Sequence, residues 1–244
     1  ISAYQFLLAW YYHWYSTNTP EKWAKGKNPP LVARSRGGWA LNTSERKRIL
    51  LAHIYGVDID SQAVEVTKLS LLLKVLEGET AQTVQRELIQ ERVLPDLGDN
   101  IKCGNSLISS DFYAQSSLPE MDTEDHLHIN VFDWDGKDGF PEIMKAGGFD
   151  VVIGNPPYLR TQGLQEYYGN QIDYFNSKYE SAAKRFDLYM LFLERGYRLL
   201  SSQGYLGFIC PHKFTNGDFA TNLRGFLVRE KAIKRLLSFG HNMV

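Results

Sequence analysis

The stretch Phe149-Asp150-Val151-Val152-Ile153-Gly154-Asn155-Pro156-Pro157-Tyr158 decides the fold class of this chain. Its first six residues form a short β-branched run ending in Gly, the pattern of a buried strand in an α/β sheet. Ligands in such sheets bind just beyond the carboxyl ends of the strands, where the following tetrapeptide must lie. Two consecutive prolines fix two φ angles and remove two N–H donors. Asn155 is itself held extended by the proline after it. The expected product is a rigid corner that presents an amide side chain, bare carbonyls and an aromatic ring. The bland alternative is an Asx-Pro turn leaving a strand, with Tyr158 packed in the core.

The corner suits methylation of an exocyclic amine. An aromatic amine is a poor nucleophile because its lone pair is delocalised into the ring. If the Asn155 side-chain oxygen and the Pro156 carbonyl each accept one N–H, the nitrogen is drawn toward a tetrahedral form. Its lone pair then points out of the plane, toward an incoming methyl group. Pre-placed acceptors of this kind stabilise the transition state without a covalent intermediate. Tyr158 would stack on the base, a contact of roughly 1–3 kcal/mol.

Outward from the corner, strand and helix patterns alternate. Ser2 to Tyr15 reads as an aromatic-rich helix, and Ile54 to Ile59 as a strand. A helix over Ser61 to Glu77, capped by Asp60 or Ser61, carries apolar residues on two faces and is expected between layers. Asn100 to Ile108 reads as a short strand and Asp111 to Gly148 as an acidic insertion. Arg160 to Lys184 reads as a polar, aromatic loop. A helix over Phe186 to Leu200 is expected next, followed by a Ser201-Ser202-Gln203-Gly204 turn. The remaining elements are a strand over Tyr205 to Cys210, a helix over Asp218 to Arg229 and a strand over Ile233 to Phe239. The alternation predicts an α/β fold with a mainly parallel, doubly wound sheet.

At 244 residues, 43% hydrophobic and 23% charged, the composition is that of one ordinary globular domain. The net charge of −1 gives no overall nucleic-acid footprint, but the charges are segregated. Lys22, Lys25, Lys27, Arg34, Arg36, Arg46, Lys47 and Arg48 are opposed only by Glu45 within their stretch. Between Asp111 and Asp150, ten acidic residues face only Lys137 and Lys145. A basic stretch of this kind can follow phosphates, and it can equally be a solvated loop. Cys103 and Cys210 both fall in expected strands and no metal-ligand spacing exists, which argues for a reducing compartment and against zinc. Ala3 to Tyr15 is too short to span a bilayer, no secretory signal is apparent, and a cytoplasmic location is expected.

Two further motifs sit at strand ends. Gly56-Val57-Asp58-Ile59-Asp60 places a carboxylate where α/β folds hold both hydroxyls of a ribose. Asp60 suits the helix cap better, which leaves Asp58 for the ribose, and Ile59 can cover one face of an adenine ring. Asn105, after Cys103-Gly104, ends the next strand; its amide can meet an adenine edge, or simply make a turn.

Together with Asn100-Ile101-Lys102-Cys103-Gly104-Asn105-Ser106-Leu107 and Gly204-Tyr205-Leu206-Gly207-Phe208-Ile209-Cys210-Pro211, these motifs resemble a known family. It is the adenine-specific DNA methyltransferases that form the methylase part of type II restriction–modification enzymes and use S-adenosyl-L-methionine (SAM). The motifs stand in the family's order over nearly the whole chain. The resemblance implies a Rossmann-like SAM-dependent methyltransferase fold. It implies that Asp58 binds the SAM ribose, Ile59 contacts its adenine, and Asn105 stands where the family usually has Asp. Asn155 and Pro156 would hold the target amine of a flipped adenine in double-stranded DNA, with Tyr158 stacked on it. The gap from Tyr158 to Gly204 is too short for a target-recognition domain, which fits the family's gamma arrangement with recognition on the C-terminal side.

Two departures stand out. The family's first SAM motif and first strand are absent, and Ile1 to Trp10 looks like the helix that normally follows them. The last catalytic motif is absent as well. Residues 1–244 are therefore expected to be a partial catalytic domain. Target recognition, and any fused or associated nuclease, would lie elsewhere. Alone, the 244 residues are expected to bind SAM poorly and to methylate nothing. The same corner serves enzymes that methylate adenines in RNA or glutamine amides in proteins. A DNA-binding module that has lost catalysis is a further alternative.

Overall fold

The computed structural model describes residues 1–34, 37–79, 95–115, 129–182 and 185–239, without the side chains of 161, 162 and 164–170. The chain forms two compact units, Ile1–Asn105 and Ser106–Val244.

The first unit opens with α1 (Ser2–Thr17), α2 (Pro20–Trp23) and an antiparallel pair, β1 (Leu31–Ala33) with β2 (Trp39–Leu41). It continues through α3 (Thr43–His53), β3 (Gly56–Asp58), α4 (Ser61–Leu76) and β4 (Ile101–Cys103). β3 and β4 run parallel, with Asp58 opposite Cys103. Tyr4, Leu31, Ile49, Leu50, Val64, Leu71, Val75 and Ile101 form its core. Asn42 caps α3 by accepting the Glu45 N–H at 2.6 Å, the role its position before the helix dictates. Arg46 donates to the Val75 and Glu77 carbonyls at 3.1 and 2.6 Å, closing the carboxyl end of α4.

The second unit contains α5 (Asp111–Gln115), α6 (Pro141–Lys145), β5 (Phe149–Gly154), α7 (Thr161–Lys178) and a 3-10 turn, Glu180–Ala182. It ends with α8 (Leu188–Arg198), β6 (Leu200–Phe208), 3-10 turns at His212–Thr215 and Asp218–Ala220, and α9 (Thr221–Arg229). β5 and β6 are parallel, pairing Val151 with Tyr205 and Gly154 with Phe208. α8 is the centre of the core, where Tyr189, Met190 and Leu191 meet Phe175, Phe186, Leu223 and Phe226. A Cβ added at Gly196 would lie 2.8 Å from Leu206 Cδ1, so α8 rides close on one face of the β5–β6 pair.

The α/β class holds, since helices separate the members of both parallel strand pairs, and two of the three strand pairs among the described residues are parallel. Several local expectations are corrected. The Arg160–Lys184 stretch is mostly the helix α7, not a loop. The Ser201–Gly204 turn is instead part of β6, which runs unbroken from Leu200 to Phe208. The register jumps there from Phe149–Leu200 to Val151–Tyr205, so the turn-forming residues make a bulge in a continuous strand. Residues 233–239 form no strand; Ile233, Leu236, Leu237 and Phe239 are exposed. α4 buries Val64, Leu71 and Val75 but exposes Val66, Leu69 and Leu73, so one face is covered within its unit. β5 likewise leaves Val151 and Ile153 exposed. Cys210 lies two residues beyond β6. Arg36 and residues 116–128 of the acidic insertion lie outside the described residues. Among the described residues, no helix is long and apolar enough to cross a membrane.

Candidate functional site

The corner forms where β5 ends. Gly154 accepts from the Ile209 N–H, which joins the end of β5 to the chain leaving β6. Beyond it Pro156 is buried while Asn155, Pro157 and Tyr158 are exposed, Tyr158 at 53%. That exposure removes the alternative of a tyrosine packed in the core. The buried proline anchors the corner and leaves the amide and the aromatic face at the surface. The Tyr158 hydroxyl lies 2.9 Å from Asn155 Oδ1 and 3.1 Å from the Ile209 carbonyl oxygen.

Support comes from the start of α8. Arg160 and Asp187 form an antiparallel bridge, and the Leu188 N–H donates to the Leu159 carbonyl at 2.8 Å. The Tyr189 ring meets the Tyr158 ring edge-on, with centroids 6.4 Å apart and planes at 89°. Burial pushes the Asp187 carboxyl above its ordinary range, with Arg160 and Lys213 pulling it back. Tyr189 is fully buried, and its hydroxyl has no hydrogen-bond partner among the described residues. Burial first, then the Asp187 and Cys210 charges, raise its phenol pKa. The supporting residues Asp187, Tyr189 and Ile209 were not singled out from sequence. Ile209 stood only as one residue of the Gly204–Pro211 motif, and Asp187, directly before an apolar helical run, carried the signal of a helix cap, although its side chain makes no cap hydrogen bond.

In the first unit the sequence-selected residues gather at the carboxyl ends of the parallel pair β3–β4. Asp60 caps α4, accepting the Gln62 N–H at 2.8 Å. Asp58 Oδ1 accepts the Asp60 N–H at 2.9 Å, and the carboxylate is exposed. Ile59 is 49% exposed. The Gly104 N–H donates to the Asp58 carbonyl at 2.8 Å, and Cys103 Sγ lies 3.6 Å from the Ile59 carbonyl. These bonds tie the strand that carries Asp58 to the turn that carries Asn105, which is buried at 8% exposure. An exposed carboxylate beside a half-exposed aliphatic side chain fits a ribose diol with an adenine next to it. Among the described residues no cluster of His, Cys, Asp and Glu is placed to hold a metal ion.

The basic stretch is partly committed to structure. Arg46 closes α4, and Arg48 pairs with Glu45 at 2.7 Å. Lys22, Lys25, Lys27 and Arg34 are exposed.

The family model described as Eco57I restriction-modification methylase matches residues 52–244. The chain is 35% identical, over all 244 residues, to the type II restriction enzyme and methyltransferase RM.Eco57I of Escherichia coli, and spans 22% of that protein. It is 35% identical over 96 residues to the type II methyltransferase M.BstVI of Geobacillus stearothermophilus, covering 39% of this chain and 17% of that one. It is 26% identical over 190 residues to the adenine-specific methyltransferase PglX of Streptomyces coelicolor, covering 73% of this chain and 15% of that one. The chain thus spans about a fifth of the length of these relatives.

Proposed function

The chain belongs to the Eco57I restriction-modification methylase family, and from that premise we propose that it is part of the catalytic domain of a site-specific DNA adenine N6-methyltransferase. The observation that carries this reading is the corner itself, with Asn155 and Tyr158 exposed on an anchored turn at the carboxyl end of β5. The adenine specificity named for PglX agrees with it.

Asp58 would accept from the ribose hydroxyls of SAM and Ile59 would cover its adenine, with Asn105 at the adenine edge. SAM, when bound, supplies an electrophilic methyl group. The chain's own task is placement. An adenine leaves the duplex stack at a cost of a few kcal/mol and stacks on Tyr158. Asn155 Oδ1 and the Pro156 carbonyl each accept one amine N–H. The nitrogen would gain the methyl group as the methyl–sulfur bond of SAM breaks and leaves a thioether, and would pass its surplus proton to solvent. Holding the partners in line replaces a bimolecular encounter by an oriented one. Double-stranded DNA is the partner, and target recognition and any nuclease lie in other parts of the whole protein. The reaction belongs to the cytoplasm.

The test is methyl transfer from labelled SAM by the full-length enzyme, offered unmethylated DNA, RNA and protein extract side by side. Label in DNA alone is the expected result. Label in RNA or protein would keep the chemistry and overturn the substrate, and DNA binding without label would favour a non-catalytic module.

A further inference from the structure

A base that leaves the stack swings out on its own backbone, so a nucleotide resting on Tyr158 brings the phosphates on either side of its sugar to the corner. Phosphate contacts carry no sequence information, but they fix where a nucleotide sits.

Two cations stand at the rim of the corner. Arg160 is exposed directly after Leu159, and its backbone is fixed by the antiparallel bridge to Asp187. Lys213 is exposed on the chain that follows Ile209, whose carbonyl oxygen lies 3.1 Å from the Tyr158 hydroxyl. The turn that carries Lys213 is firmly held. Phe214 is buried in the core, and Arg224 donates to the Phe214 and Gly217 carbonyls at 2.9 and 2.6 Å. Both cations act on the Asp187 carboxyl, so they converge on one place.

The arginines of α8 and α9 have other tasks. Arg195 donates to the Tyr179 hydroxyl, Arg198 and Arg229 pair with Glu180, and Arg224 holds the turn. Among the described residues, neither Arg160 nor Lys213 has a carboxylate at ion-pair distance. Two positive charges against the one negative charge of Asp187 leave the rim positive beside an exposed stacking ring.

We propose that Arg160 and Lys213 form a phosphate site that holds the backbone of the flipped nucleotide while its base rests on Tyr158. This inference rests on the function proposed above. Both side chains donate charge-assisted hydrogen bonds to phosphate oxygens, Arg160 through two parallel N–H groups and Lys213 as a point charge. No close ion pair within the described residues has to break when the backbone arrives.

The test uses the full-length enzyme and a fluorescent duplex spanning an adenine that the wild type methylates. Arg160→Gln and Lys213→Gln each remove one charge at an exposed position and should leave the unfolding temperature unchanged. Each should lower the slope of log K against log salt by about 0.9, and the double variant by about twice that. Lys145→Gln, at an exposed lysine paired with Glu142 on α6, should leave the slope unchanged. A second duplex, with neutral methylphosphonates on both sides of the target adenine, locates the contact. The wild type should bind it at least about tenfold more weakly than the natural duplex. The double variant should bind the two duplexes within about threefold of each other.

An equal loss on the neutral duplex for wild type and double variant overturns the proposal. So does an unchanged salt slope, an equal drop in slope from Lys145→Gln, or a drop that comes only with a lower unfolding temperature. A rise in KM for SAM with DNA binding intact would give the two cations to the cofactor's carboxylate, and overturns it as well. A wild type that methylates RNA or protein and no DNA refutes the proposed function instead.

Discussion

Glu194 is a buried charge of the second unit with three partners among the described residues, and replacing it by Gln isolates what its charge does. Its side chain is fully buried on α8. Oε1 accepts the Glu180 N–H at 3.1 Å and lies 2.5 Å from Arg198 Nη2, while Oε2 accepts the Ser181 N–H at 2.8 Å. The carboxylate thus satisfies the 3-10 turn that follows α7, and its charge offsets an arginine. Glutamine has the same shape but one acceptor oxygen. Whichever way its amide points, an NH2 group opposes either Ser181 or the Glu180–Arg198 side. The loss is one charge-assisted hydrogen bond, about 1.5–3 kcal/mol. Hydrogen exchange in the full-length enzyme reads this locally, because opening free energies differ along a chain. At roughly 1.4 kcal/mol per tenfold, protection of the Ser181 amide should fall about tenfold to a hundredfold. Protection within about threefold of wild type would refute the network as the anchor of this turn.

Three further outcomes follow from the same structure. Gly148 has φ +109°, and a Cβ there would lie 2.6 Å from the Leu199 carbonyl oxygen; Gly148→Ala should destabilise by about 2 kcal/mol or more, seen as a lower unfolding temperature. Tyr189→Phe removes a buried hydroxyl that lacks a partner among the described residues and should stabilise by about 1 kcal/mol, whereas a loss of that size would reveal a bond the hydroxyl makes. For Asp187, burial raises the folded pKa against the opposing pull of Arg160 and Lys213. Its contribution to stability is therefore fully present below the unfolded carboxylate pKa and lost as pH rises through the folded one. Asp187→Asn cannot ionise, so its unfolding temperature relative to wild type should be higher at pH 7.5 than at pH 4, and a pH-independent difference would refute this.

The corner was legible because its determinants are local. Two prolines after a β-branched run fix the backbone whatever surrounds them, and Asp60 caps α4 by the same local logic. The errors arose where distant contacts decide. α7 contains Gly163 and Gly169, each costing about 1 kcal/mol against Ala in a helix. Tyr174 and Phe175, both almost fully buried, hold its second half against the core. Ser201–Gly204 carries turn chemistry, but a Cβ at Gly204 would lie 2.8 Å from the Phe149 carbonyl oxygen. The glycine serves a close strand approach there rather than a reversal. The contacts of Tyr158 with Ile209 and Tyr189 join residues 51 and 31 positions away, and no local pattern announces such pairs.

The most direct measurement is the N6-methyladenine content of DNA treated with the full-length enzyme and SAM, digested to nucleosides and weighed by mass spectrometry, for wild type beside Asn155→Ala. Removing one pre-placed transition-state partner costs about a hundredfold or more in turnover. N6-methyladenine with wild type and a loss of that order in Asn155→Ala is the predicted result. Equal N6-methyladenine from both proteins, or methyl groups on another base, would contradict it.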